Sequence, residues 1–176
     1  IRHYDSGGQH KAACYRWNWN PRATDTFANM TPFYQLVDAL ITPAGAAYEP
    51  AVRAKVDTTQ WMRTFAMNDL GSYWDGFGNG NKKNSYLYKP LRSGWKVLSW
   101  DFDVGLGVFG DSPTAALFDG SADPQLTRLN AYPAFRREYW RTFSDAMATF
   151  YSGTAVTPFL QSRWTAFQAN GIAAVS

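Results

Sequence analysis

The sequence predicts an α+β fold that is mostly helical and includes one small antiparallel sheet. Apolar residues recur at helical spacing near Thr31 and again after Pro133, while two short extended runs lie between these stretches. The chain has 176 residues, of which 18% are charged and 17% are aromatic. This length suits one compact unit, and the composition predicts a core built largely from aromatic rings.

The first thirty residues mix Gly, Asn, Pro and aromatics without a period, so residues 1–30 are interpreted as an irregular arm or the edge of a larger domain. The helical body is assigned to 31–176. A helix is predicted from Thr31, which can cap it, with Pro32 at the first helical position and Pro43 ending it. Its expected apolar face contains Phe33, Leu36, Val37, Leu40 and Ile41.

A second helix is predicted from Asp57 or Thr58. Its expected buried residues are Trp61, Met62 and Phe65. After a loop rich in Gly and Asn, two strands are predicted in the runs NSYLYKP and GWKVLSWDFDVGLG, joined by PLRSG. Alternation along the second run places Asp101 and Asp103 on a cleft-facing side, whereas Leu98, Trp100 and Phe102 are expected to pack inward.

Two helices are predicted in the last third of the chain. The first begins at Pro133 and ends at Gly153, and its apolar stripe contains Phe135, Tyr139, Phe143, Met147 and Tyr151. Its arginines, Arg136, Arg137 and Arg141, are interpreted as a solvated face. The last helix follows Pro158 and is expected to bury Phe159, Leu160, Trp164 and Phe167.

The acidic pair Asp101 and Asp103 is the first candidate for chemistry. Two positions apart on a strand, their α-carbons would lie about 7 Å apart, which suits one divalent cation or two neighbouring ones. Ligation by oxygen alone favours Mg²⁺ or Mn²⁺ over zinc. The alternative is that the pair accepts backbone hydrogen bonds at the end of the strand and has no metal.

The loop WDGFGNGNKKN upstream of the strands offers a second set of polar groups. It contains the carboxylate of Asp75, the amide of Asn84 and the two cations Lys82 and Lys83 among glycines that let backbone N–H groups approach a ligand. Carboxylates, amides and cations together are what phosphoryl transfer requires, with Asp75 as the carboxylate on the acceptor side. A calcium loop is disfavoured because Phe77 and Tyr86 occupy liganding positions of its spacing.

Composition and residue counts exclude several other classes of function. His3 and His10 are the only histidines and Cys14 is the only cysteine, which disfavours hydrolytic triads, a three-histidine zinc site and a disulfide framework. A net charge of +3 without a basic cluster does not predict nucleic-acid binding. No apolar run is long enough to predict a membrane span.

Three segments together resemble the spore-coat-protein-H-like (CotH) kinase family. They are VDTTQWMRTFAMNDLGSYWDGFGNGNKKNSYLYKP, GWKVLSWDFDVGLG and LTRLNAYPAFRREYW, which follow one another in the family's order and spacing. The resemblance implies an atypical protein-kinase-like fold that uses ATP and a divalent metal to transfer phosphate to protein Ser or Thr. It also implies a secreted, surface or coat-associated setting, with a protein substrate or a coat or surface partner.

By this resemblance Asp75 corresponds to the catalytic aspartate, Asp101 with Asp103 to the metal-binding pair, and Asn84 to the asparagine before a tyrosine-rich strand. Lys82 and Lys83 are assigned with Asn84 to cofactor binding. Family domains also carry an amino-terminal lobe with a nucleotide-clamping lysine, so this chain resembles the carboxyl-terminal lobe. The alternatives are a non-catalytic assembly domain of the same fold and a metal-dependent hydrolase of phosphate esters.

Overall fold

The computed structural model describes residues 3–22, 29–78, 83–103, 105–106, 112, 114 and 124–172. The described elements are, in order, α1 (Ala12–Asn18), α2 (Thr31–Ile41), α3 (Tyr48–Arg53), α4 (Thr58–Leu70), β1 (Ser85–Tyr88), β2 (Lys96–Ser99), α5 (Pro124–Ala131), α6 (Pro133–Ala148) and α7 (Gly153–Ala169). The predicted α+β class, mostly helical with a small antiparallel sheet, is confirmed.

The two helices predicted around Thr31 and Asp57 are both present. Pro32 lies within the first turn of α2, and the buried residues of this helix include Phe33, Leu36, Val37 and Leu40. Asp57 caps α4, because its side chain accepts a hydrogen bond from the backbone N–H of Gln60 at 3.1 Å. The cap satisfies one of the free amides at the helix start and fixes the first turn.

The amino-terminal stretch contains a helix that its irregular composition does not predict. Tyr15 of α1 is fully buried, and its ring meets Phe33 edge to face at a centroid distance of 5.7 Å. Trp19, just after α1, meets Phe77 in the same way at 5.4 Å. These contacts between aromatic rings hold the amino-terminal stretch against the helical body. Helix α1 has only seven residues, which is too short for its periodicity to be recognised in the sequence.

The sheet consists of β1 and β2, paired antiparallel with Ser85 opposite Ser99 and Tyr88 opposite Lys96. Gly94 brings the entry to β2 close to the chain that precedes α4. A Cβ atom at Gly94 would lie only 2.4 Å from the backbone N of Asp57 and 2.5 Å from the carbonyl C of Val56. The glycine therefore permits the close backbone approach that anchors the sheet to the start of α4.

Helix α4 lies at the centre of the fold, packed along α6 and against β2. Its residues Trp61, Met62 and Phe65 belong to the main hydrophobic core, as the sequence predicts. Phe135 and Tyr139 of α6 are fully buried in the same core. The carboxyl end of α4 therefore has a fixed position from which the following turn begins.

The prediction for the last helices is partly wrong. Helix α6 ends at Ala148, and Gly153 begins α7 instead of ending α6. Pro158 lies inside α7, and none of the residues of α7 is buried. The apolar side chains expected in the core are 40–56% exposed, namely Phe159, Leu160, Trp164 and Phe167. Periodicity identifies the helix, but it does not identify a neighbour to cover it. Across the described part of the chain, no helix has the length and apolarity needed to span a membrane.

Candidate active site

The turn after α4 brings Asp75 into the protein interior. The helix ends at Leu70 with Gly71 as its C-cap, and the backbone N–H of Tyr73 donates to the carbonyl of Asn68 at 2.8 Å. Asp75 follows two residues later and is only 5% exposed. A buried carboxylate needs compensating partners, because an uncompensated one would cost several kcal/mol.

Asn84 supplies that compensation and joins the two segments that carry carboxylates. It is 6% exposed and lies directly before β1. Its Nδ2 donates to Oδ2 of Asp75 at 3.2 Å and to Oδ2 of Asp101 at 3.3 Å. One amide nitrogen thus contacts both carboxylates, so their two oxygens are separated by no more than the sum of these distances.

Asp101 reaches Asn84 because the backbone leaves the strand conformation at this point. Strand β2 ends at Ser99, and Asp101 has a φ of 64°, in the left-handed region that most residues other than glycine avoid. The backbone N–H of Trp100 also donates to the carbonyl of Asn84 at 3.2 Å. The sequence Trp100–Asp103 therefore follows the sheet and does not lie within it.

This break also overturns the predicted direction of the aromatic side chains. Val97 is the buried residue of β2, whereas Leu98, Trp100 and Phe102 are 44%, 43% and 60% exposed. The prediction that Leu98, Trp100 and Phe102 pack inward is therefore wrong, because the inward face of β2 is the one that carries Val97. The alternation also cannot continue through the left-handed residue Asp101. The carboxylate of Asp101 is consequently oriented by its backbone conformation and by Asn84.

Tyr73 links the segment that carries Asp75 to the segment that carries Asp101. Its hydroxyl donates to the carbonyl of Trp100 at 2.5 Å and lies 3.3 Å from the carbonyl of Asn84, and its ring centroid is 4.6 Å from that of Phe102. Burial raises the pKa of Tyr73, and the negative charges of three neighbouring carboxylates raise it further, whereas the hydrogen bond with Asn84 lowers it. These carboxylates belong to Asp75, Asp101 and Asp103. No sequence pattern singles out Tyr73.

Close packing holds the turn that carries Asp75. A Cβ atom at Gly76 would lie 2.7 Å from Nδ2 of Asn68 and 3.0 Å from the ring of Tyr73, so any larger residue would have to displace one of these side chains. Ser99 donates to Oδ1 of Asn68 at 3.2 Å, which ties the end of β2 to α4. Packing contacts therefore fix the backbone near Asp75 and the backbone near Asp101.

The remaining predicted site residues are placed less tightly. Nζ of Lys83 lies 3.8 Å from Oδ2 of Asp75, and its side chain is 63% exposed. Asp103 is exposed in the turn after Asp101, and Lys82 lies outside the described residues. Among the described residues, no three His, Cys, Asp or Glu side chains are grouped so that they could hold a metal ion. Metal binding by Asp101 and Asp103 stays a prediction.

Comparison with known families identifies the chain. The family model described as CotH kinase protein matches residues 7–165, which is most of the 176 residues. The chain belongs to the CotH kinase family. Neither the curated proteins nor the solved structures include a match to it.

In this CotH domain the matched range contains the whole acidic site and α1, so the amino-terminal stretch from residue 7 is part of the length that the family model matches. The site offers a buried carboxylate at Asp75, an exposed one at Asp101 and a cation at Lys83 beside them. Such a set can orient a hydroxyl group and can present oxygen ligands and positive charge to a phosphate with its cation.

Proposed function

We propose that this CotH domain transfers phosphate from ATP to a Ser or Thr side chain of a protein in a reaction that depends on a divalent metal. The observation that carries the proposal is the contact of one amide, Asn84 Nδ2, with the carboxylates of Asp75 and Asp101. Phosphoryl transfer needs an acceptor-side carboxylate next to a metal-side carboxylate, because catalysis comes from positioning and charge compensation. Membership of the CotH kinase family supports the same reaction.

Asp75 is the proposed acceptor-side group. Its carboxylate is buried and oriented by Asn84, with Lys83 at 3.8 Å, so it can accept a hydrogen bond from a substrate hydroxyl and take its proton. The hydroxyl would approach from the side on which Lys83 and Asp101 are exposed to solvent.

Asp101 and Asp103 are the proposed ligands of Mg²⁺ or Mn²⁺. Both are exposed carboxylates, and hard oxygen donors are the chemistry that these cations prefer, so the residues present fit the ion. When bound, such an ion neutralises the phosphate charge that develops during transfer. Lys83, and with it Lys82, would offer positive charge to the phosphates of ATP, while Asn84 keeps Asp101 beside Asp75.

We further propose that the helical body corresponds to the carboxyl-terminal lobe of a protein-kinase-like fold, and that the protein acts in a secreted, surface or coat setting. The support for both is family membership, together with the central position of α4 and the placement of the acidic site at its carboxyl end.

The test is transfer of labelled phosphate from ATP to casein and to the protein itself, with Mg²⁺ or Mn²⁺. Asp75→Asn and Asp101→Asn keep the side-chain shape, and each is expected to reduce transfer about 100-fold or more, in line with loss of general base or metal-held charge. Asp145→Asn is the matched control, because Asp145 is exposed on α6. Equal activity in Asp75→Asn and in the control would disprove the assignment.

A non-catalytic assembly domain is the second candidate, and two observations favour it. Asn84 donates a hydrogen bond to each of the two carboxylates, as expected of a purely structural contact, and α7 exposes the apolar side chains of Phe159, Leu160 and Trp164. If this role is the right one, light scattering will show association that depends on protein concentration and disappears in Leu160→Glu, and calorimetry will detect no binding of Mg²⁺-ATP or Mn²⁺-ATP. Binding of either nucleotide by a monomer would favour the kinase.

A further inference from the structure

A cavity of about 270 Å³ lies between α3 and α6. It is near the start of α4, whereas Asp75 follows the end of that helix. Its lining residues are Glu49, Arg53, Ala134, Arg137, Glu138 and Arg141. We name this cavity the arginine cleft. It combines three guanidinium groups with two carboxylates, which leaves one excess positive charge. Since a water molecule occupies about 30 Å³, the cleft has room for an anionic side chain and part of its backbone.

Arg53 is committed to the wall of the cleft. Its Nε donates to Oε1 of Glu49 at 2.9 Å, one terminal nitrogen donates to Oε1 of Glu138 at 3.0 Å, and the other donates to the hydroxyl of Thr58 at 2.7 Å. The same guanidinium lies 5.0 Å from the centroid of the Phe135 ring. Arg53 therefore donates to both carboxylates and to Thr58, and it has little hydrogen-bonding capacity left for a ligand.

Arg137 and Arg141 are different. Neither forms a hydrogen bond or an ion pair with any residue in the described part of the chain, although both line the cleft. They are four positions apart on α6, so their side chains lie on the same face of the helix. Two guanidinium groups side by side and without a carboxylate partner repel each other and are suited to grip an anion by paired N–H donors.

The environment of Glu138 indicates that the ligand carries an N–H donor in addition to its anionic group. Its Oε2 is shielded from solvent and has no hydrogen-bond partner among the described residues, whereas its Oε1 is held by Arg53. A buried carboxylate oxygen without a donor is costly. Because 24% of the Glu138 side chain is exposed, a small rotation of its carboxylate would present this oxygen to the cleft, where a ligand that supplies an N–H would remove the cost. A peptide segment offers such an N–H beside its side chain, which a free inorganic anion does not.

We propose that the arginine cleft binds a peptide segment through a phosphate or carboxylate on one of its side chains, held by Arg137 and Arg141. Arg53 binds Thr58 at the start of α4, whereas Asp75 follows the end of that helix. The 13 residues of α4 separate the two sites by about 20 Å. The cleft is therefore a second site and not part of the acidic one. Its use as a docking point for the protein substrate rests on the proposed function, but the binding itself does not.

The test measures fluorescence anisotropy of three labelled ten-residue peptides that differ at one position, which is phosphoserine, glutamate or serine. We expect the chain to bind the phosphoserine peptide or the glutamate peptide at least tenfold more tightly than the serine peptide. The double variant Arg137→Ala/Arg141→Ala is expected to lose that preference. Arg163→Ala, which removes an exposed arginine of α7, is the matched control and is expected to keep it.

Different binding results identify the chemical group that supplies the anion and test whether the site exists. Tight binding of the phosphoserine peptide alone identifies phosphate, and equal tight binding of the glutamate peptide identifies any anionic side chain. Equal binding of all three peptides, or an unchanged preference in the double variant, overturns the site. Melting curves verify that the variants are folded, as expected for exposed side chains. Peptide binding without phosphate transfer would retain the cleft and reject only the proposed function, and the reverse result would reject only the cleft.

Discussion

Removing one hydroxyl group tests whether Tyr73 fastens the acidic segments as the structure indicates. Tyr73 is 2% exposed, and its hydroxyl donates to the carbonyl of Trp100 at 2.5 Å. Tyr73→Phe keeps the ring against Phe102, so no cavity forms, but the carbonyl loses its donor. A net hydrogen bond contributes about 0.5–1.5 kcal/mol, and an orphaned buried carbonyl costs about 1–3 kcal/mol. Because Trp100 is 43% exposed, water can partly replace the donor.

We therefore expect the free energy of unfolding to fall by about 1–2 kcal/mol, which lowers the melting temperature by about 2–8 °C for a chain of this size. Urea titration followed by tryptophan fluorescence measures the change. Tyr86→Phe is the control, because the Tyr86 ring stacks on Trp100 at 5.7 Å while the residue is 43% exposed. A loss in Tyr73→Phe no larger than that of the control would refute the fastening role.

Three further changes test the fold. Gly94→Ala should destabilise the protein by about 1–3 kcal/mol or prevent folding, because its Cβ would overlap the backbone of Val56 and Asp57, and urea titration measures the loss. Asp57→Ala should cost about 0.5–2 kcal/mol in the same assay, since it removes the cap on the Gln60 amide. Burial raises the pKa of Tyr48 to about 12. Its unfolded pKa is about 10, so the unfolded state releases this proton first, and stability should fall by about 2–3 kcal/mol between pH 10 and 12. Tyr48→Phe should remove that part of the pH dependence in alkaline melting curves, and an identical slope in both proteins would contradict it.

The existence of the main elements could be predicted because their signals are local. Asp57 precedes the apolar positions of α4, and the turn sequence PLRSG separates two runs with strand composition. The exposure of α7 could not be predicted, because an apolar stripe specifies only that a face can be covered. Whether a neighbour covers it depends on packing between distant segments.

For the candidate site, too, the sequence predicts one part and not the other. Asp75, Asn84 and Asp101 are identifiable by residue type and by resemblance to the CotH family, but their contact is not. It depends on the left-handed backbone of Asp101 and on one amide that reaches two segments 9 and 17 positions away. Tyr73 escapes sequence reasoning because a buried aromatic with a hydrogen-bonded hydroxyl has the same local pattern as any core tyrosine.

By itself the sequence determined the helical body, the two short strands, the family and the residue types from which an acidic site can be built. Only the tertiary structure decided that Asn84 joins Asp75 to Asp101, that Trp100 and Phe102 are partly exposed, and that two arginines of α6 line a cleft without an ion-pair partner among the residues that the structure describes. The physical reason is the separation along the chain between the residues that determine each feature. Periodicity, caps and turns are set by neighbours along the chain, whereas the direction of a side chain at an element's end is set by contacts with residues far from it in sequence.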